Sequence, residues 1–265
     1  MAQFSPEDIV RYWKAQALQF GQLPAASWTD RYAIEMEIRE IGRHLAAGDR
    51  VLDIGCANGY STLRYAADTP VQIKGLDAIP EMIAEARKRL QALPAELRAC
   101  MEFEVGDATA LPEASETYDK VVIVRVLINL GTWERQQIGL REACRVLKRG
   151  GVLLLSEATL QGWQTLNRFR REWGLPDIPV PPFNTYLDEP RVIESVGGMM
   201  ELIEIKNFAS TYYVGTRVLK PLLDRALGNA INVADPEMEW NRWFSLLPAA
   251  GDYGTQKLFV LRKRA

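Results

Sequence analysis

The acidic and basic residues that could do chemistry in this 265-residue chain stand at the ends of short apolar runs: Asp53 after VL, Asp77 after QIKGL, Asp107 after MEFEVG, Arg125 after YDKVVIV and Glu157 after GGVLLLS. Open α/β sheets bind ligands outside the carboxyl ends of their strands, so one crevice could collect all five. The stretch Arg50–Tyr60, RVLDIGCANGY, is the centre of the pattern. Val51, Leu52 and Ile54 read as a buried parallel strand, and Gly55, Ala57 and Gly59 leave little side chain in the turn that follows. A ligand can approach the backbone there. Asn58 or Ser61 is expected to cap the next helix, whose free N–H groups and positive dipole end face the same crevice.

The dinucleotide fingerprint G-x-G-x-x-G is absent, because Gly55 and Gly59 are four apart and Ala57 stands between them. Asp53 would repel a phosphate but suits a ligand carrying ammonium and sulfonium groups. The segment Asp53-Ile54-Gly55-Cys56-Ala57-Asn58-Gly59 resembles the first motif of the class I S-adenosylmethionine-dependent methyltransferases, [D/E]-x-G-x-G-x-G, with Ala57 in place of the middle glycine. Asp77 follows Asp53 by 24 residues, where an acid accepts hydrogen bonds from ribose hydroxyls. Gly106-Asp107-Ala108 resembles the family's adenine-edge motif, with a carboxylate for the exocyclic amine and a backbone N–H for the ring; a capped turn is the plainer alternative. EACRVLKRGGVLLLSE resembles the closing motif of the same family. The resemblance covers residues 46–158 and implies a Rossmann-like α/β fold: a seven-stranded, mostly parallel sheet with an antiparallel edge hairpin and helices on both faces. It implies S-adenosyl-L-methionine as cofactor, held by Asp53, Gly55, Cys56, Ala57, Asn58, Gly59, Asp77, Ala78, Gly106, Asp107, Ala108 and Arg125.

The remaining elements must position those residues. Residues 1–45 read as an amphipathic helical cap, with a helix from residue 3 and a break at Gly21–Pro24. Residues 46–265 form the core. Tyr118–Leu130 reads as the central fourth strand, so Arg125 within it must be paired or lie in the crevice. It can meet the cofactor's carboxylate or the substrate, or brace the strand tops against Asp53 or Glu157. Two inserts, 159–190 and 209–254, interrupt the alternation and are expected to form a substrate lid, since long loops in compact domains are usually functional.

The inserts hold most of the surplus aromatic and basic residues. Trp28, Asn129, Trp163, Asn167, Arg168, Tyr212 and Arg217 are the expected substrate contacts, and gluing the inserts to the core is the competing role for such aromatics. A base, if one is used, falls to Glu157, Tyr186, Tyr212 or Tyr213, because the only histidine, His44, reads as a helix-end residue set against the dipole. A carboxylate or phosphate acceptor would need no base.

Composition narrows the partners. A net charge of −2 gives no reason to expect nucleic acid, and no apolar run reaches the ~20 residues of a membrane span. Cys56, Cys100 and Cys144 form no C-x-x-C pair, so neither a metal site nor a disulfide framework is expected. The N-terminus shows no signal-peptide layout, and cytoplasm is the expected compartment. The expectation is a methyltransferase acting on a small molecule, first of all at oxygen of a sugar or secondary metabolite. Carbon or nitrogen methylation, an NAD-dependent oxidoreductase and a non-catalytic cofactor-binding module are the rivals. Oligomeric state cannot be read.

Overall fold

In the computed structural model, which describes residues 4–265, the first helix is set by a reciprocal cap. The Ser5 hydroxyl accepts from the Asp8 N–H, the Asp8 carboxylate accepts from the Ser5 N–H, and Pro6 stands first in α1 (Pro6–Phe20). The part of the expected first helix at residue 3 lies outside the described residues. A 3-10 turn at Pro24–Ala26 leads to α2 (Arg31–Gly42), whose N-cap is Asp30. Strands and helices then alternate: β1 (Arg50–Ile54), α3 (Tyr60–Asp68), β2 (Gln72–Asp77), α4 (Pro80–Gln91), the single turn α5 (Ala95–Arg98) and β3 (Met101–Val105). They continue through β4 (Tyr118–Val124), α6 (Trp133–Val146) and β5 (Leu147–Ala158). Beyond β5 come α7 (Leu160–Glu172), α8 (Glu189–Val196) and β6 (Met200–Lys206), then α9 (Ser210–Val214), α10 (Lys220–Ala226), α11 (Glu239–Phe244) and β7 (Gln256–Lys263). A π-helical stretch, Gly215–Leu219, joins α9 to α10.

The seven strands form one sheet in the order β3-β2-β1-β4-β5-β7-β6. β1 to β5 pair in parallel, and β7 runs antiparallel to both β5 and β6. This is the seven-stranded α/β sheet expected from the alternation, and it turns at β1 and β4, between which the crevice opens.

Pleating sends neighbouring residues to opposite faces. Val51, Val122, Leu154 and Leu258 join the helices α2, α3 and α4, while Leu52, Ile54, Val121, Ile123, Leu153 and Leu155 join α6 and α8. Asp53 therefore points to the α3 side. Each fully buried aliphatic side chain contributes about 1.5–3 kcal/mol, so the two layers hold the strand ends firmly. Of the residues expected to form a cap, α2 belongs to this layer, with Ile34, Ile38 and Ile41 almost fully buried against the sheet. The part that lies over the crevice is α1, through Pro6, Ile9, Val10 and Trp13, together with Ser27 of the linker that follows it.

β4 ends at Val124, earlier than the apolar run suggested: Arg125 turns to φ +54° and a 3-10 turn occupies Leu127–Asn129. The turn after β1 is tighter still. Gly55 has φ +77°, and a methyl group on it would lie 2.1 Å from the Val126 side chain. Gly55→Ala is expected to cost about 2–5 kcal/mol, from left-handed strain plus overpacking. A urea midpoint matching the parent protein would contradict this packing.

Candidate active site

A crevice open to solvent lies over the carboxyl ends of β1, β2 and β4. Asp53, Gly55, Cys56, Ala57, Asn58, Asp77, Ala78, Gly106, Asp107, Ala108 and Arg125 all line it, together with Trp13, Ser27, Asn129 and Arg135. Gly59 does not line it. At φ +73° it is the N-cap of α3 and packs against Phe103. The expected cap by Asn58 or Ser61 is not formed. Instead the Asn58 amide donates to the Gly21 and Leu23 carbonyls, 2.8 Å each, and ties the turn to the linker between α1 and α2.

Asp77 braces the turn from the neighbouring strand: Oδ2 accepts from the Ala57 N–H at 2.9 Å and Oδ1 from the Ile79 N–H at 2.8 Å. Each carboxylate oxygen has a second lone pair, so two acceptor positions remain for a diol. Burial pushes Asp77 up to about 6, against the pull of those two N–H groups. Asp53, 3% exposed, accepts from the Thr62 hydroxyl at 2.5 Å, and burial pushes it up to about 7. Two carboxyls poised near neutrality at one cavity wall are well suited to a cationic ligand and poorly suited to a pyrophosphate. Asp107 forms its own turn, with Oδ1 accepting from the Thr109 N–H and hydroxyl at 2.7 and 2.8 Å, while its residue still lines the cavity.

A second cavity adjoins the first. Trp13, Ser27, Arg125 and Asn129 line both, so the two spaces meet at these four side chains. The second is walled by Tyr12, Trp28, Phe183, Tyr186 and Tyr213, with Gln16, Asn184, Thr255 and Gln256 as neutral polar groups. Phe183 stacks on Tyr12 at 4.5 Å, closing the proline-rich insert against α1.

Arg125 is paired neither with Asp53 nor with Glu157. Its NH1 group binds Glu37 of α2, whose carboxylate also accepts from the Ser156 hydroxyl and from the Gln256 amide at 3.0 Å. The guanidinium lies over the Trp28 ring, 4.9 Å from its centroid. Glu37 was not singled out from the sequence, although a signal existed: it shares a helical face with Ile34, Ile38 and Ile41, and a carboxylate in an apolar stripe needs a buried partner.

Several expected site residues stand elsewhere. Glu157 is fully buried and lines neither cavity. Its Oε1 accepts from the Val126 and Leu127 N–H groups at 2.8 and 2.7 Å, and burial pushes it up to about 8, so it is a neutral brace of the β4 turn and not a base. Tyr212 is also fully buried, donating to Asp30 at 2.6 Å and accepting from the Asn241 amide at 3.1 Å. Arg217 is spent on the same Asp30, at 2.6 Å. Trp163 and Asn167 hold the proline-rich insert through the Ile178 backbone, and Arg168 is exposed on α7. For Tyr212, Arg217, Trp163 and Asn167 the reason is common: amphipathic inserts need polar anchors of their own before they can offer any to a ligand. Most of the 209–254 insert accordingly serves as a brace, and of its own residues Tyr213 reaches the second cavity. His44 lies two residues past α2, and burial pushes its imidazole down, which disfavours the charged form a dipole contact would use.

Residues 51–151 match a family described as "Methyltransferase domain". That match and the sheet order above agree with the resemblance of residues 46–158 to the class I S-adenosylmethionine-dependent methyltransferases. It is 33% identical over 132 residues to 27-O-demethylrifamycin SV methyltransferase of Amycolatopsis mediterranei, covering 50% of this chain and 44% of that protein. It is 35% identical over 111 residues to the ubiquinone/menaquinone biosynthesis C-methyltransferase UbiE of Cereibacter sphaeroides, covering 42% of each. The chain thus spans less than half the length of these two curated relatives. The N-methyltransferase NodS of Bradyrhizobium japonicum, solved with S-adenosyl-L-homocysteine, shares the fold at a TM-score of 0.58 and 14% identity, over 97% of this chain and 98% of that one. Among the described residues no helix is long and apolar enough to cross a membrane.

Proposed function

We propose that this chain transfers a methyl group from S-adenosyl-L-methionine to a small-molecule acceptor, at oxygen. The observation that carries the reading is the junction of two cavities at Trp13, Ser27, Arg125 and Asn129: one space walled by the residues of the cofactor motifs, the other by aromatic and neutral polar groups. In this reading Asp77 takes the ribose hydroxyls, Asp53 faces the ammonium group, and Gly106 to Ala108 border the adenine. The 159–190 insert, through Phe183, Asn184 and Tyr186, together with α1 and Trp28, forms the lid over the acceptor. Asn129 stands at the junction with its amide donating to the Arg125 carbonyl at 2.7 Å and its oxygen accepting from Asn184 at 3.0 Å. Tyr186 and Tyr213 are held above the ordinary phenol range by burial, so their role is to hydrogen-bond the acceptor as neutral phenols. When bound, the cofactor supplies an activated methyl group; alignment and exclusion of water are what the protein adds, and alignment alone is worth about 7–11 kcal/mol.

Incubation with methyl-labelled cofactor and a fractionated metabolite extract tests the reading; no labelled product in any fraction would reject it. Transfer to carbon is a second reading, supported by the 35% identity to a C-methyltransferase. Carbon-13 NMR of the labelled product separates a methoxyl from a carbon-bound methyl.

Cofactor affinity is expected to depend on pH with a definite sign. The folded values of about 7 for Asp53 and about 6 for Asp77 lie above the ordinary aspartate value near 3.9. In the ligand-free protein the stability they contribute is complete below about pH 4 and is lost as pH rises through 6 to 7. A cationic ribonucleoside binds the ionised forms, so its affinity gains over that same window. Calorimetric titration with S-adenosylmethionine is expected to show at least roughly tenfold tighter binding at pH 7.5 than at pH 5.5. A flat profile would remove these carboxylates from the contact.

A further inference from the structure

Among the described residues lining the second cavity there is no carboxylate and no imidazole, and Arg125 is its only charged side chain. Of its phenols, Tyr12, Tyr186 and Tyr213 are all pushed up by burial, so none becomes a phenolate base near neutral pH. Arg125 stands where the two cavities meet, with its side chain 15% exposed. The groups facing it come from four elements: Glu37 on α2, Trp28 in the preceding linker, Glu157 on β5 and Tyr65 on α3. Glu157 and Tyr65 are held neutral by burial, so Glu37 is the one anion against it. Glu37 is 2% exposed, lines neither cavity, and is fixed by Ser156 and Gln256 as well. The ion pair is therefore oriented, with its anionic end in the core and its cationic end at the junction. A guanidinium has five N–H groups, and Glu37 engages the NH1 side.

We propose that the acceptor is an acidic hydroxyl on a planar unsaturated frame, a phenol or an enol, bound between the aromatic walls as its anion against Arg125, with Glu37 as the residue that positions Arg125. The cavity then needs no base. The hydroxyl proton leaves to solvent as the acceptor binds; the oxygen's electron pair forms the bond to the methyl carbon, and the carbon–sulfur pair stays on sulfur, which becomes a neutral thioether. An aliphatic alcohol, far less acidic, would keep its proton in such a site. A phosphate dianion would ask for more than one already paired guanidinium. The inference rests on the methyltransferase reading and narrows its substrate class.

The test uses 4-nitrophenol, whose anion absorbs visible light, with the full chain saturated by S-adenosylhomocysteine, whose own binding is first measured for each variant by calorimetry. The bound probe is expected to ionise about one pH unit or more below its value in buffer. Arg125→Gln should abolish that displacement, Arg125→Lys should retain part of it, and Glu37→Gln should reduce it by loosening the guanidinium. A probe that fails to bind, binds as the neutral phenol, or ionises alike in the parent and Arg125→Gln overturns the inference while leaving the methyltransferase reading intact. Failure of the parent protein to bind S-adenosylhomocysteine overturns both.

Discussion

Replacing Asp77 with alanine is expected to lower affinity for S-adenosylmethionine by at least about a hundredfold. Two hydrogen bonds from ribose hydroxyls to a half-buried carboxylate are worth about 1.5–3 kcal/mol each, and every 1.4 kcal/mol is a factor of ten. The loss has a second source. The same carboxylate accepts from the Ala57 and Ile79 N–H groups, so its removal leaves two donors unpaired in the turn that forms the cavity wall. Asp77→Asn should lose less than Asp77→Ala: the amide oxygen can hold one of the N–H groups and one hydroxyl, while its NH₂ cannot accept from the others. Calorimetry on both variants, with far-ultraviolet circular dichroism to follow the fold, is the measurement. Parent-like affinity in Asp77→Ala would refute the ribose role.

The second large effect is expected at Asp30 and concerns stability. Its Oδ1 accepts from the Ala33 N–H at 3.2 Å, capping α2, and from the Tyr212 hydroxyl at 2.6 Å; its Oδ2 pairs with Arg217 at 2.6 Å. One carboxylate, 3% exposed, thus joins the helix under the crevice to the insert after β6. Asp30→Ala leaves a partly buried guanidinium unpaired and a buried phenol without its acceptor. Breaking such a pair from one side costs about 3–5 kcal/mol, and the lost cap adds about 1. A fall in Tm of roughly 10 °C or more is expected for a chain of this length. Asp30→Asn, which keeps an acceptor for the cap but loses the charge, should fall between. A variant melting within a degree or two of the parent would show that α2 and the insert are held together by other contacts.

These two aspartates show how far sequence carried. Asp77 was legible, because the spacing from Asp53 to Asp77 is set by one β-α-β unit, and local hydrophobic period and turn chemistry suffice to place both at neighbouring strand ends. The same holds for the Gly55 turn, the Gly106-Asp107-Ala108 segment and the seven-strand alternation. Asp30, beside Trp28 in the connecting AASWTD, could be read as sitting over the cofactor or as packing, and not as the link to a distant insert. Its partners lie 182 and 187 residues away, and no local pattern announces a contact of that range.

What the amino-acid order determined by itself was the sheet, its motif-bearing turns and the residues around the first cavity, since each depends on neighbours within a few tens of residues. Tertiary packing alone decided the rest. It removed Glu157 from the chemistry by burying it under the β4 turn, spent Tyr212 and Arg217 on Asp30, and turned Trp163 and Asn167 toward Ile178. It also set Glu37 behind Arg125, 88 residues away in the chain. The physical reason is that a buried charge or polar group must find a partner wherever the fold brings one near. Residue type alone therefore marks the need for a partner, and only the packed structure says whether a ligand or the protein itself supplies it.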